Sequence, residues 1–169
     1  MIATLAIATL TAASPQTPDA CRAQIPTDLK QTLANFYPQY RLPQASDQDA
    51  DDVQGYSGGT GCLGVAKGDF DGDKRVDIAL LLSGKERLRT RLVVALRGED
   101  RWRLELIDTW VESITTQYIH YIAPGTYESG FEQRKVTSPT DGFAIGTIES
   151  TSYYFFRLKG RWTSLWMAD

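Results

Sequence analysis

Histidine is nearly absent from this 169-residue chain, which holds one, His120, and only two cysteines, Cys21 and Cys62. One His excludes a His-rich metal site, and two Cys exclude a Cys₄ zinc site. A surplus of positive charge is missing too. The 18 Lys and Arg stand against 21 Asp and Glu, a formal charge of −3. The chain therefore lacks the basic footprint of a nucleic-acid binder. No apolar run reaches the roughly 20 residues of a membrane-spanning helix. There is no nucleophile elbow, phosphate loop or His-Glu-x-x-His pattern. His120 sits inside an alternating strand pattern with no sequence-evident partner to orient it as a base. Glu105 and Glu149 are carboxylates, but nothing in the sequence pairs them as a glycosidase requires. The expectation is a protein that is not an enzyme. The 42% hydrophobic and 23% charged composition also excludes a wholly disordered chain, and the length suits one domain with its own core.

What is present begins with an uncharged apolar stretch, residues 1–13 (MIATLAIATLTAA). It reads as the core of an export signal, with Thr11 and Ala13 at −3 and −1 of a cleavage site, although the usual basic start is missing. The other reading is an apolar strand or helix of the mature fold. Ser14–Asp19 then reads as a solvated spacer. This divides the chain into a signal and spacer, 1–19, and one domain, 20–169, located in the periplasm or secreted. Asp19, two residues before Cys21, argues against a lipid anchor there. Cys21 is better used in a disulfide with Cys62, closing a loop of about 40 residues worth roughly 4 kcal/mol in the chain-entropy account. Two free buried thiols are the alternative.

Ile25–Phe36 is the one clear helix pattern. Ile25, Leu29, Leu33 and Phe36 form an apolar stripe, Thr27 can cap it, Asp28 suits its positive end, and Pro38 stops it. Gln44–Gly61 is polar, acidic and Gly-rich, and reads as a long surface loop. Its Asp47, Asp49, Asp51 and Asp52 read as solvated charge. Tyr56, Ser57, Gly58 and Gly59 have the composition of an adaptable contact tip or of a linker to Cys62. Strand patterns follow at Val76–Leu82, Thr90–Arg97, Arg101–Ile107, Gln117–Ala123, Phe143–Ile148, Tyr153–Leu158 and Arg161–Met167, with hairpin turns at Gly98-Glu99-Asp100 and Lys159-Gly160. Two hairpins echo each other, LVVALRGEDRWRLELID and YYFFRLKGRWTSLWMAD. The pattern predicts a mainly β fold with one N-terminal helix, built of antiparallel hairpin sheets.

Chemistry concentrates in Asp69-Phe70-Asp71-Gly72-Asp73-Lys74-Arg75-Val76-Asp77. Carboxylates at Asp69, Asp71, Asp73 and Asp77 take positions 1, 3, 5 and 9, and the Arg75 carbonyl would supply position 7. A hard cation such as Ca²⁺ wants six to eight oxygens, and binding one relieves the repulsion among the carboxylates. The loop is not an EF-hand: position 6 is Lys74 rather than Gly, and position 12 is Leu80 rather than Glu. It resembles the calcium loop of integrin-propeller-like (FG-GAP or VCBS) repeats, usually written GDFDGDGxxDL. Gly68–Ile78 matches that pattern at all four carboxylates, and Lys74 stands where the repeats carry Gly. The resemblance implies Ca²⁺ as the bound ion and a partial-propeller-like arrangement of the sheets.

Across about 25–169 the order of features resembles a set of small exported bacterial proteins. Phe36-Tyr37-Pro38, the loop leading into Ala79-Leu80-Leu81, Pro124-Gly125-Thr126-Tyr127, Asp141-Gly142-Phe143, Tyr153-Tyr154 and Lys159-Gly160-Arg161-Trp162 carry it. Such proteins include periplasmic calcium-binding inhibitors, or immunity proteins, of lysozyme-like effectors. The resemblance implies a protein partner, with a cell-wall hydrolase foremost. A calcium-stabilised adhesion or glycan-binding module is the other expectation, suggested by the aromatic C-terminal end.

Overall fold

Cys21 lies in a single helical turn, α1 (Ala20–Ala23), ahead of a longer helix, α2 (Thr27–Phe36). The computed structural model describes residues 18–85, 89–110 and 114–167, except for the side chain of Trp110. The expected export signal lies outside the described residues. Asp19, expected in a solvated spacer, is structural: its carboxylate accepts hydrogen bonds from the N–H of Arg22 (3.0 Å) and of Ala45 (2.9 Å). Ile25, Leu29 and Leu33 are buried, as their spacing predicts, whereas Phe36 is 72% exposed. Tyr37, just past the helix, packs against the core in its stead. Thr27 is the first helical residue rather than the cap. Pro26 holds the cap position without a side-chain hydrogen bond, and a proline near the helix start forfeits no helical N–H bond.

After β1 (Tyr40–Arg41) the chain departs from the expected surface loop. Residues Ala45–Asp47 form a 3₁₀ turn and Ala50–Tyr56 form a helix, α3. Asp47 is buried, pairs with Arg41 at 2.6 Å and accepts the N–H of Gln44 at 2.8 Å. Asp49 stands at the N-cap of α3, with Asp51 and Asp52 in its first turn, where the helix dipole favours negative charge. The acidity of this segment is thus partly a helix-start signal.

The strands that follow are β2 (Val65–Gly68), β3 (Asp77–Gly84), β4 (Thr90–Arg97), β5 (Trp102–Trp110), β6 (Gln117–Ile122), β7 (Gly125–Ser129), β8 (Arg134–Ser138), β9 (Gly142–Thr147), β10 (Ser152–Leu158) and β11 (Arg161–Met167). All their pairings are antiparallel. The first sheet runs β2-β3-β4-β5, with β1 sharing the outer edge of β3; the second runs β6-β9-β10-β11, and β7-β8 stand apart as a hairpin. In the second sheet the β7-β8 hairpin intervenes in the chain between the neighbours β6 and β9. No ring closes among the described residues.

Layering explains the apolar runs. Ile78, Leu80, Leu82, Val93 and Ala95 face Leu29, Leu33 and the disulfide. Ala79, Leu81, Leu92 and Val94 face Ile119, Phe143 and Ile145 of the second sheet. A strand buried on both faces has no polar alternation. Ala144, Phe156 and Leu165 then point outward, beneath Val136 and Tyr127 of the β7-β8 hairpin. The order is helices, first sheet, second sheet, hairpin.

The echoing hairpins are β4-β5 and β10-β11, which hold the same place in their sheets. Arg97 lies directly across from Trp102, and Arg157 directly across from Trp162. Each Arg–Trp pair grips a carboxylate of the layer before it. Arg97 and the Trp102 indole N–H (3.0 Å) donate to Asp28 of α2. Arg157 (3.3 Å) and the Trp162 indole N–H (2.7 Å) donate to Glu105 of β5.

Candidate metal centre

The Asp-rich loop links β2 to β3 where the two sheets meet. Phe70 anchors it: the ring is fully buried and packs edge-on against Phe143 and Trp162 of the second sheet. The backbone turns back at Gly72 and Lys74, both left-handed, with φ of 83° and 68°. The carboxylate of Asp69 accepts hydrogen bonds from the N–H of Gly72 (2.7 Å) and Lys74 (2.9 Å). These bonds coil the segment so that Asp69, Asp71 and Asp77 converge, each with an oxygen within 4.8 Å of the others'. Three carboxylates at that separation could hold a metal ion.

Asp77 is the buried member, with 0% exposure. It accepts the N–H of Phe70 (2.9 Å) and of Arg97 (2.7 Å). Burial pushes its carboxyl up to about 6, with the negative charges of Asp71 and Asp73 adding to the rise and the two N–H bonds opposing it. A cation reverses this balance by favouring the charged form.

The other predicted ligands are placed differently. Asp73 falls outside the converging group, where its carboxylate receives the backbone N–H (2.8 Å) and guanidinium (2.9 Å) of Arg75. That guanidinium also reaches Glu99 at 3.3 Å. Cys21 and Cys62 form the expected disulfide. Tyr56 closes α3 and stacks on Tyr118. Ser57 is held by Thr60 and Gly61, and Gly58 and Gly59 have positive φ, so this tip is a defined turn.

The sequence reading missed Asp141. From the turn before β9 it accepts the N–H of Asp69 (2.7 Å) and the hydroxyl of Tyr121 (3.0 Å), while its own N–H donates to the Asp69 carbonyl (3.2 Å). The second sheet thereby fixes the start of the Asp-rich loop. Its only sequence signal was an Asp-Gly pair, which reads as a turn. Gly68 leaves the space for this contact, since a Cβ there would meet the Asp141 side chain at 2.9 Å.

Fold and site together define a disulfide-stapled, mainly β protein with an acidic loop able to hold a metal ion. Among the described residues no helix is long and apolar enough to cross a membrane. Compared with known families, curated proteins and solved structures, the chain matches no family model, no curated protein and no solved structure.

Proposed function

We propose that this chain is an exported, calcium-binding, non-enzymatic protein that binds and restrains an exported partner, foremost a lysozyme-like cell-wall hydrolase. The observation that carries the calcium reading is the convergence of Asp69, Asp71 and Asp77 in a loop anchored on both sheets. Oxygen-only donors suit Ca²⁺, which tolerates varied geometry, better than Mg²⁺, which demands a tighter octahedron. The disulfide fits an oxidising compartment. The partner reading rests on the order of sequence features set out above.

Calorimetry and melting in Ca²⁺ and in EDTA test the metal. Calcium at about 100 times its Kd is expected to add roughly 2.7 kcal/mol of stability. A melting temperature indifferent to EDTA, with no calorimetric heat, rejects the calcium site. Muramidase inhibition assays test the partner. Retention on a glycan array without inhibition or capture of any muramidase would instead favour a calcium-stabilised adhesion or glycan-binding module. Phe131 and Tyr153 are exposed and each stacks on Trp166.

A further inference from the structure

Between α3 and the strands β2 and β6 lies a cleft of about 450 Å³, within the size range of small-molecule sites. Val65, Ile119, Tyr56 and Cys62 are among its lining residues. Tyr56 is 40% exposed, and one ring face is held by a stack on Tyr118 at 5.5 Å. Tyr118 in turn stacks on His120 at 5.4 Å with the rings 8° from parallel. The disulfide and the left-handed Gly58 and Gly59 fix the rim.

The lining is mostly apolar and includes no carboxylate. Lys67 is the only Lys or Arg among the described lining residues. It is exposed and takes part in none of the ion pairs found among the described residues. The Asp141 carboxylate that Tyr121 contacts is engaged by the Asp69 N–H and the Tyr121 hydroxyl. Such a cleft rewards a ligand with two parts. An aromatic body gains by leaving water and packing on Tyr56, and a carboxylate gains a charge-assisted bond at Lys67.

We propose that this cleft binds a small aromatic carboxylic acid, a role that goes beyond the partner reading and does not depend on it. The protein carries its own reporter. His120 is the only histidine, so its ring protons give a single NMR signal set from inside the cleft in untagged protein. The probe is indole-3-acetate, titrated at constant pH and calcium. A saturable shift of the His120 signals is expected. The neutral indole-3-acetamide should bind about tenfold more weakly, the loss of one charge-assisted bond. Glucuronate, a carboxylate without an aromatic ring, should leave His120 unmoved. Lys67→Glu and Tyr56→Ala should each weaken the response, with amide spectra confirming the fold, while the remote Lys85→Glu should keep it. An unmoved His120 at millimolar indole-3-acetate overturns the proposal. So does an equal response to the amide or to glucuronate, or a response that survives Lys67→Glu.

Discussion

Lys74 adopts a left-handed backbone at the loop position where the similar calcium repeats carry Gly, and that conformation costs an L-residue about 1 kcal/mol or more. Lys74→Gly is therefore expected to tighten calcium binding, read as a lower calorimetric Kd; weaker binding would count against this loop as the calcium site. Asp77 is the more sensitive residue, since it is buried and both its oxygens accept N–H bonds. Asp77→Asn turns an amide NH₂ toward one of those donors, costing about 1–3 kcal/mol, and should abolish the gain from calcium. Its titration gives a signed pH dependence. A carboxyl raised to about 6 in the fold, from an ordinary unfolded value near 4, favours the folded state fully at low pH. That contribution is lost as pH rises through 6. In EDTA this contribution should fall between about pH 4 and 6, and the step should be missing in Asp77→Asn. Calcium needs the charged form, so its affinity should weaken below about pH 6. A calcium affinity flat from pH 5 to 7 would contradict this.

At the scale of elements, the Arg–Trp clamps give the echo between hairpins a physical meaning. Arg and Trp directly across an antiparallel pair reach the same point above the sheet, and a carboxylate in the next layer satisfies both. The two copies differ in exposure. The Arg157 side chain is 14% exposed and that of Glu105 24%, against 34% and 54% for Arg97 and Asp28. The Arg97 guanidinium holds the Asp28 carboxyl below its ordinary value. Glu105→Ala leaves Arg157 poorly solvated and unpaired, and should cost about 2 kcal/mol in urea unfolding. Asp28→Ala should cost clearly less, because water can replace it; equal losses would refute the ranking. The hairpins and α2 were legible in the sequence because apolar runs and Gly turns are local signals. The β7-β8 hairpin was not, since it turns few apolar side chains inward. Nor was α3, whose seven residues bury none of their side chains.

The whole molecule is held at the seam where β2 and β6 lie side by side, joined by the Ile119 N–H to the Leu63 carbonyl (2.8 Å) at one end and by Asp69–Asp141 at the other. The disulfide ties α1 to the entry of that seam. Reducing it should lower stability by about 4 kcal/mol, read from urea unfolding with and without reductant. Of the candidate metal site, the clustering of carboxylates in one loop was legible, because the spacing of Asp along one turn is itself the signal. Two features were not: the turning of Asp73 toward Arg75, a choice between neighbours, and the role of Asp141, 72 residues from its partner. The stacked plan also has a direction. Asp28 precedes the Arg97–Trp102 pair that grips it, and Glu105 precedes Arg157–Trp162. The position matching Glu105 in the second sheet is Leu165, buried under the outer hairpin. The helices and the first sheet thus each offer a docking carboxylate to the layer synthesised next, so the chain can assemble from its N-terminus as it emerges.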